Sequence, residues 1–128
     1  MSYRTAIYDL MNNAEADVYP LVAPQELTAS YAVYTTRMEL VRAQQGTPVM
    51  TTYLTVYCYA NDFSVCVDLA ITIQTNMEHR EGSYNAGLDI LMGCMMIGES
   101  DDYIPSLDKY LITQEYKMDW DYHHTYTS

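Results

Sequence analysis

The chain has 128 residues, the size of a single domain, and 49% of them are hydrophobic, which excludes an intrinsically disordered protein. No apolar run reaches the roughly 20 residues of a membrane-spanning helix, and residues 1–5 do not resemble a secretory signal, so we expect a protein made in a cytoplasm. Seventeen acidic residues against six basic ones give a net charge of -11, which argues against binding to phosphate backbones.

The first part of the chain predicts one helix and one strand. Apolar side chains recur at helical spacing over residues 2–14, with Ser2 as a suitable cap. Residues 17–25 contain two prolines, which lack the backbone donor of a central strand, so we expect an extended segment there. Residues 31–41 predict a strand, and residues 44–48 predict a break after it.

Residues 49–60 give the clearest strand pattern, because two sets of side chains alternate along them. One face carries Thr52, Leu54, Val56, Cys58 and Ala60, and the other carries Thr51, Tyr53, Thr55, Tyr57 and Tyr59. We expect helices to cover the first face. The second is either a solvent-exposed sheet face or a contact with another subunit, for which Tyr53, Tyr57 and Tyr59 are candidates.

Residues 62–77 fit two patterns. Apolar side chains alternate from Val65 to Ile73 with the period of a strand, and the β-branched residues agree with that interpretation. The same residues also form a helical stripe that begins after Asn61 and Asp62, which are suitable helix caps. Periodicity alone slightly favours the strand.

The last part of the chain predicts two strands and two loops. Residues 78–86 predict a polar loop, and residues 88–97 predict a strand in which Gly93 marks a bulge. Residues 101–108 predict an acidic, turn-rich loop, and residues 109–122 predict the final strand.

These elements together predict an α+β fold. We expect one domain over residues 1–128, with a mostly antiparallel sheet of about four to five strands and two helices packed on one face. Residues 122–128 are expected to form a mobile tail.

No arrangement typical of catalysis or metal binding occurs in the sequence. His123 and His124 are adjacent, so on a strand they point to opposite faces, and His79 is distant in sequence. The acidic residues 99–108 lack the ligand pattern of a calcium loop. Nucleophile elbows and glycine-rich phosphate loops are absent as well. We therefore expect no enzyme activity, no cofactor and no metal ion.

Three cysteines lie within apolar segments and include no CxxC pair. They are Cys58, Cys66 and Cys94. An odd number of thiols in such surroundings predicts buried, reduced side chains in a reducing compartment.

Four short segments occur in an order shared with a known family. They are Val18-Tyr19-Pro20; Tyr31-Ala32-Val33-Tyr34, where Ser30 replaces the family's proline; residues 53–62; and residues 99–105 followed by Lys109-Tyr110-Leu111-Ile112. In this order and spacing the chain resembles the tail terminator, or tail completion, proteins of long-tailed bacteriophages. In that family the third segment runs into the main helix, so the resemblance favours a helix over residues 62–77.

The resemblance implies a virion protein rather than an enzyme. It implies a homo-hexameric ring on the head-proximal end of the tail tube, which stops tube polymerisation and joins the head completion or connector protein. Genomic DNA would pass through the acidic channel without specific binding, and no membrane would be involved. The alternatives are another ring-forming head–tail connector, or a monomeric binding module that uses the tyrosine-rich face.

Three parts of the chain are candidates for subunit or partner contacts. The first is the set of tyrosines on residues 49–60. The other two are loops, of which the earlier contains Gln44 and Gln45 and the later contains Asp101, Asp102 and Tyr103.

Overall fold

The computed structural model describes residues 3–12, 18–20, 30–41, 49–84 and 89–121 of the chain. Within these ranges, no helix combines the length and apolar character that crossing a bilayer requires.

Two helices and six strands make up this part of the chain. In order they are α1 (Tyr3–Asn12), β1 (Val18–Pro20), β2 (Tyr31–Val41), β3 (Val49–Ala60), α2 (Phe63–Met77), β4 (Gly82–Tyr84), β5 (Asp89–Ile104) and β6 (Lys109–Asp121).

All six strands join in one sheet in the order β1-β2-β3-β6-β5-β4. β1 runs parallel to β2, and every other neighbouring pair is antiparallel. The expected α+β class and the mostly antiparallel sheet are therefore confirmed. The sheet exceeds the expected four to five strands because β1 and β4, each of three residues, pair at its two edges.

The ambiguous segment 62–77 is a helix. The Oδ1 atom of Asp62 accepts a hydrogen bond of 3.0 Å from the backbone N–H of Ser64, which caps the first turn. The helical stripe is buried and consists of Cys66, Leu69, Ala70, Ile73 and Met77. A helix is more stable here than a strand because it packs this whole stripe against the sheet, where β3 and β6 contact it.

Two loop predictions need correction. Residues 78–86 were expected to be a loop, but β4 forms within them by pairing with the start of β5. Residues 101–108 were expected to be a turn-rich loop, but β5 continues to Ile104 and only residues 105–108 form the turn. Backbone pairing of 101–104 with β6 outweighs the acidic composition that favoured a loop. The bulge expected at Gly93 is confirmed by a shift in the pairing of β5 with β6.

The sheet has one covered face and one open face. On β3 the residues Met50, Thr52, Leu54, Val56, Cys58 and Ala60 are buried, and on β6 so are Ile112, Gln114, Tyr116, Met118 and Trp120. α2 packs on this side, and α1 joins it through a 2.7 Å hydrogen bond from Asn76 Nδ2 to the Leu10 carbonyl. No described element covers the other side, which we call the open face.

A buried amide fastens α2 to the sheet. Nε2 of Gln114 donates to the carbonyl of Ala70 on α2 and to Oε2 of Glu99 on β5, each at 2.9 Å. Its Oε1 accepts a 2.9 Å hydrogen bond from the hydroxyl of Tyr116. Because Gln114 is fully buried, these bonds satisfy an amide that would otherwise carry the cost of lost hydration.

The first prediction concerns this amide. Gln114→Leu leaves the buried Tyr116 hydroxyl without its acceptor, so we expect the free energy of unfolding to fall by about 2 kcal/mol. Urea denaturation measures the loss. Tyr116→Phe is the matched control, because it removes one bond only, and we expect it to cost about 1 kcal/mol. A Gln114→Leu protein as stable as the parent would show that the amide does not hold the layers together.

The second prediction concerns an unsatisfied hydroxyl. Oγ1 of Thr52 is buried and has no hydrogen-bond partner among the described residues. Thr52→Val replaces the hydroxyl by a methyl group of similar size, so we expect stability to rise by about 1 kcal/mol. The same urea titration checks this. A decrease in stability would mean that the hydroxyl has a partner in solution.

Candidate functional site

Tyrosines dominate the open face of β3. Tyr53, Tyr57 and Tyr59 all lie on it and are half-buried. The ring of Tyr59 stacks on that of Tyr31 in β2, with centroids 5.1 Å apart and an interplanar angle of 23°. Val33 of β2 lies opposite Tyr57. The surface is therefore continuous across two strands rather than a row of isolated rings.

Two basic side chains hold rings of this face in place. The guanidinium carbon of Arg37 lies 4.4 Å from the centroid of the Tyr53 ring, and its Nη1 lies 3.3 Å from Oε2 of Glu39. The ammonium of Lys109 lies 5.6 Å from the centroid of the Tyr31 ring and donates to Oδ1 of Asn61 at 3.0 Å. These cation–π contacts restrict the aromatic side chains before any partner binds.

The open face has a smaller excess of negative charge than the chain as a whole. Register places three basic residues there, Arg37, Lys109 and Lys117, together with five acidic ones, Glu39, Asp102, Glu115, Asp119 and Asp121. The whole sequence has six basic and seventeen acidic residues. Half of the basic residues thus lie on one face, which lowers the repulsion of a second copy of the chain there.

The structure divides the other described candidates between the two faces of the sheet, with Asp102 on the open face and Asp101 on the helix side. Asp102 pairs with Leu111 on the open face, but Tyr103 pairs with Tyr110 and lies on the helix side. Gln44 and Gln45 lie outside the described residues. The strand ends that flank their segment pair with each other at the end of the sheet opposite the β5–β6 turn. The six candidates within the described ranges therefore do not form one site.

A second surface lies on the helix side of the β5–β6 hairpin. The ring of Tyr110 lies 5.5 Å from that of Phe63 and 5.0 Å from that of Tyr103, between centroids. The Tyr103 hydroxyl donates to Oδ1 of Asp108 at 2.5 Å, and this bond raises the pKa of the phenol. We call Phe63, Tyr103 and Tyr110 with the surrounding carboxylates the hairpin patch. Sequence reasoning found only Tyr103, because the rings come from three different elements.

The described residues provide no cluster of side chains that would bind a metal ion. No group of three or more His, Cys, Asp or Glu side chains in these ranges is placed to hold a metal ion. A cavity of about 370 Å³ at one corner of the sheet is lined partly by His79, Cys94 and Lys117. Burial raises the pKa of the Cys94 thiol to about 12, so this thiol is protonated at neutral pH and is a poor nucleophile.

The three cysteines are buried and free, as expected from the sequence. The thiol of Cys66 donates to the carbonyl of Cys58 at 3.2 Å, which links the first turn of α2 to β3. Burial also raises the pKa of Cys58 to about 12. These thiols therefore act as core side chains.

The third prediction concerns thiol reactivity. Because the pKa of Cys58 and of Cys94 is raised well above 8, we expect almost no reaction of the native protein with a thiol reagent at pH 8. Absorbance with Ellman's reagent measures the rate, and denaturant should release all three thiols. Rapid labelling without denaturant would contradict the buried placement.

Comparisons with known proteins give a match of fold. No family model and no curated protein matches the sequence. Among solved structures that match is a chain from the virion of a native gene transfer agent particle, with a TM-score of 0.69. The two are 11% identical, and the match covers 88% of this chain and 84% of the other. At this identity the likeness establishes a shared fold.

Proposed function

We propose that this protein is a virion structural protein of the tail terminator type. Six copies would form a ring on the head-proximal end of a tail tube, stop its polymerisation and join it to the head completion or connector protein. The order of its sequence segments supports this role, and so does the shared fold with a chain of a virion particle. The role requires no catalysis, cofactor or metal.

The open face is the observation that carries the proposal. Its tyrosines offer large amphipathic surfaces that are partly held in place by Arg37 and Lys109. Its five acidic and three basic residues leave a smaller excess of negative charge there than the net charge of -11 of the whole chain, which lowers the repulsion between copies at this surface. This surface therefore suits a contact between copies better than the acidic remainder of the described chain.

A closed ring also needs a second, different patch, because each copy contacts one neighbour on either side. The outer face of α2 fits this requirement. Val65 is 43% exposed and Ile71 is 54% exposed, and Asp68 is the only charged side chain in the helix. The open face of one copy against α2 of the next would give the head-to-tail order that a ring requires.

The negative charge of the proposed ring would keep DNA from binding to it. With the open face used between copies, most of the carboxylates whose positions are described remain on other surfaces of each subunit. Six subunits of net charge -11 would surround the passage with negative potential. DNA would then pass through without adhering to the protein.

The fourth prediction tests both the role and the contact. Deleting the gene from the genome that encodes the virion should give heads and unjoined tails of excessive length in electron micrographs. Tyr57→Asp places a charge in the centre of the open face, so we expect it to fail to restore joined particles. Tyr8→Asp is the matched control, because Tyr8 is 44% exposed on α1, on the covered side of the sheet, and should restore them.

Each outcome has a distinct meaning. Unjoined tails of normal length would favour a head–tail connector over a terminator. Fully normal particles after deletion would overturn the proposed role. Rescue by Tyr57→Asp would exclude the open face as the contact between copies.

A further inference from the structure

The hairpin patch is an exposed aromatic surface on the side of the sheet opposite the open face. Phe63 is 43% exposed and Tyr103 is 41% exposed, although their rings already pack on Tyr110. Leu107 in the turn of the same hairpin is 52% exposed. The patch thus combines a preformed platform of rings with an accessible aliphatic side chain.

Carboxylates surround these rings. Asp62 precedes Phe63, Asp108 accepts from the Tyr103 hydroxyl, and Glu99 and Asp101 lie on the same side of β5. Burial is the main cause that raises the pKa of the Cys66 thiol in the first turn of α2, and the Asp101 carboxylate adds to it.

The carboxylates of this group make no ion pair within 4.0 Å with a basic side chain of the described ranges. Among these residues the ion pair within 4.0 Å is that of Arg37 with Glu39, on the open face. Lys109 belongs to the same hairpin, but its ammonium is turned to Asn61 and the Tyr31 ring. The patch therefore combines accessible aromatic rings with a negative electrostatic potential from the surrounding carboxylates.

We propose that the hairpin patch binds a basic segment of another protein, with an arginine stacked on the rings of Tyr103 and Tyr110. A guanidinium group can lie flat on an aromatic face while its N–H groups reach nearby carboxylates, here Asp101 and Asp108. Lysine would fit less well, because its ammonium is compact and strongly hydrated. Nucleic acid is the wrong partner, since its phosphates would meet unneutralised carboxylates.

This inference goes beyond ring formation and does not depend on it. The proposed contact between copies uses the open face and the outer face of α2 around Val65 and Ile71, whereas the patch is centred on the β5–β6 hairpin and takes only the first residue of α2, Phe63. Its chemistry suits an adjoining protein of the same particle that presents arginine.

The fifth prediction uses the isolated protein and a capped peptide in which three arginines alternate with alanines. NMR titration should shift backbone amides of residues 62–67 and 99–112 and leave β2 unchanged. Asp101→Asn with Asp108→Asn should weaken binding by about tenfold. Tyr103→Ala should weaken it by about fivefold, because the stacking surface is lost.

A matched control separates this site from general attraction to an acidic protein. Asp9→Asn with Glu115→Gln removes the same charge from exposed positions elsewhere and should weaken binding less than twofold. A peptide with citrulline in place of arginine should not bind. Equal losses in the two double variants, shifts spread over the whole chain, or no binding at all would overturn the proposal. None of these results depends on whether the protein forms a ring.

Discussion

The buried amide of Gln114 is the interaction on which the arrangement of this domain depends. It joins β6 to α2 and to β5 through one side chain, and it also satisfies the hydroxyl of Tyr116. An amide in a core costs stability unless each of its groups is bonded, so the bond from Gln114 to the Ala70 carbonyl favours the observed placement of the helix. α2 therefore lies over one face of the sheet, and both exposed surfaces follow from that placement.

A sheet with helices on one side only must expose its other face or share it. Here that face is neither apolar nor strongly charged. Tyr31 stacks on Tyr59, and Arg37 covers the ring of Tyr53, so the aromatic area is ordered and still accessible. Such a face is stable in water and can also pack against another protein, because tyrosine tolerates both environments. This combination suits a protein made as separate subunits and later assembled.

The sequence predicted the parts of the fold that depend on local pattern. β2 and β3 begin and end at the expected residues, because alternation along a half-buried strand is visible without knowledge of its partners. Residues 62–77 could not be assigned from their own pattern, since a strand and a helix would each bury apolar side chains. The helix is favoured only by its packing against the sheet, which the local sequence does not show. Residues 101–104 were misjudged because strand pairing depends on β6. The hairpin patch was missed for the same reason, since Phe63 approaches Tyr103 only in the folded chain.

Charge placement connects the two surfaces. A chain with seventeen acidic and six basic residues repels its own copies, so a contact between copies is favoured where the excess of negative charge is small. Three of the six basic residues lie on the open face, and the carboxylates of the hairpin patch make no ion pair among the described residues. The arrangement that favours like subunits on one face thus creates an acidic site for a basic partner on the other. Salt screens both effects over about 8 Å at physiological ionic strength, which weakens the attraction of that partner while it eases contact between copies.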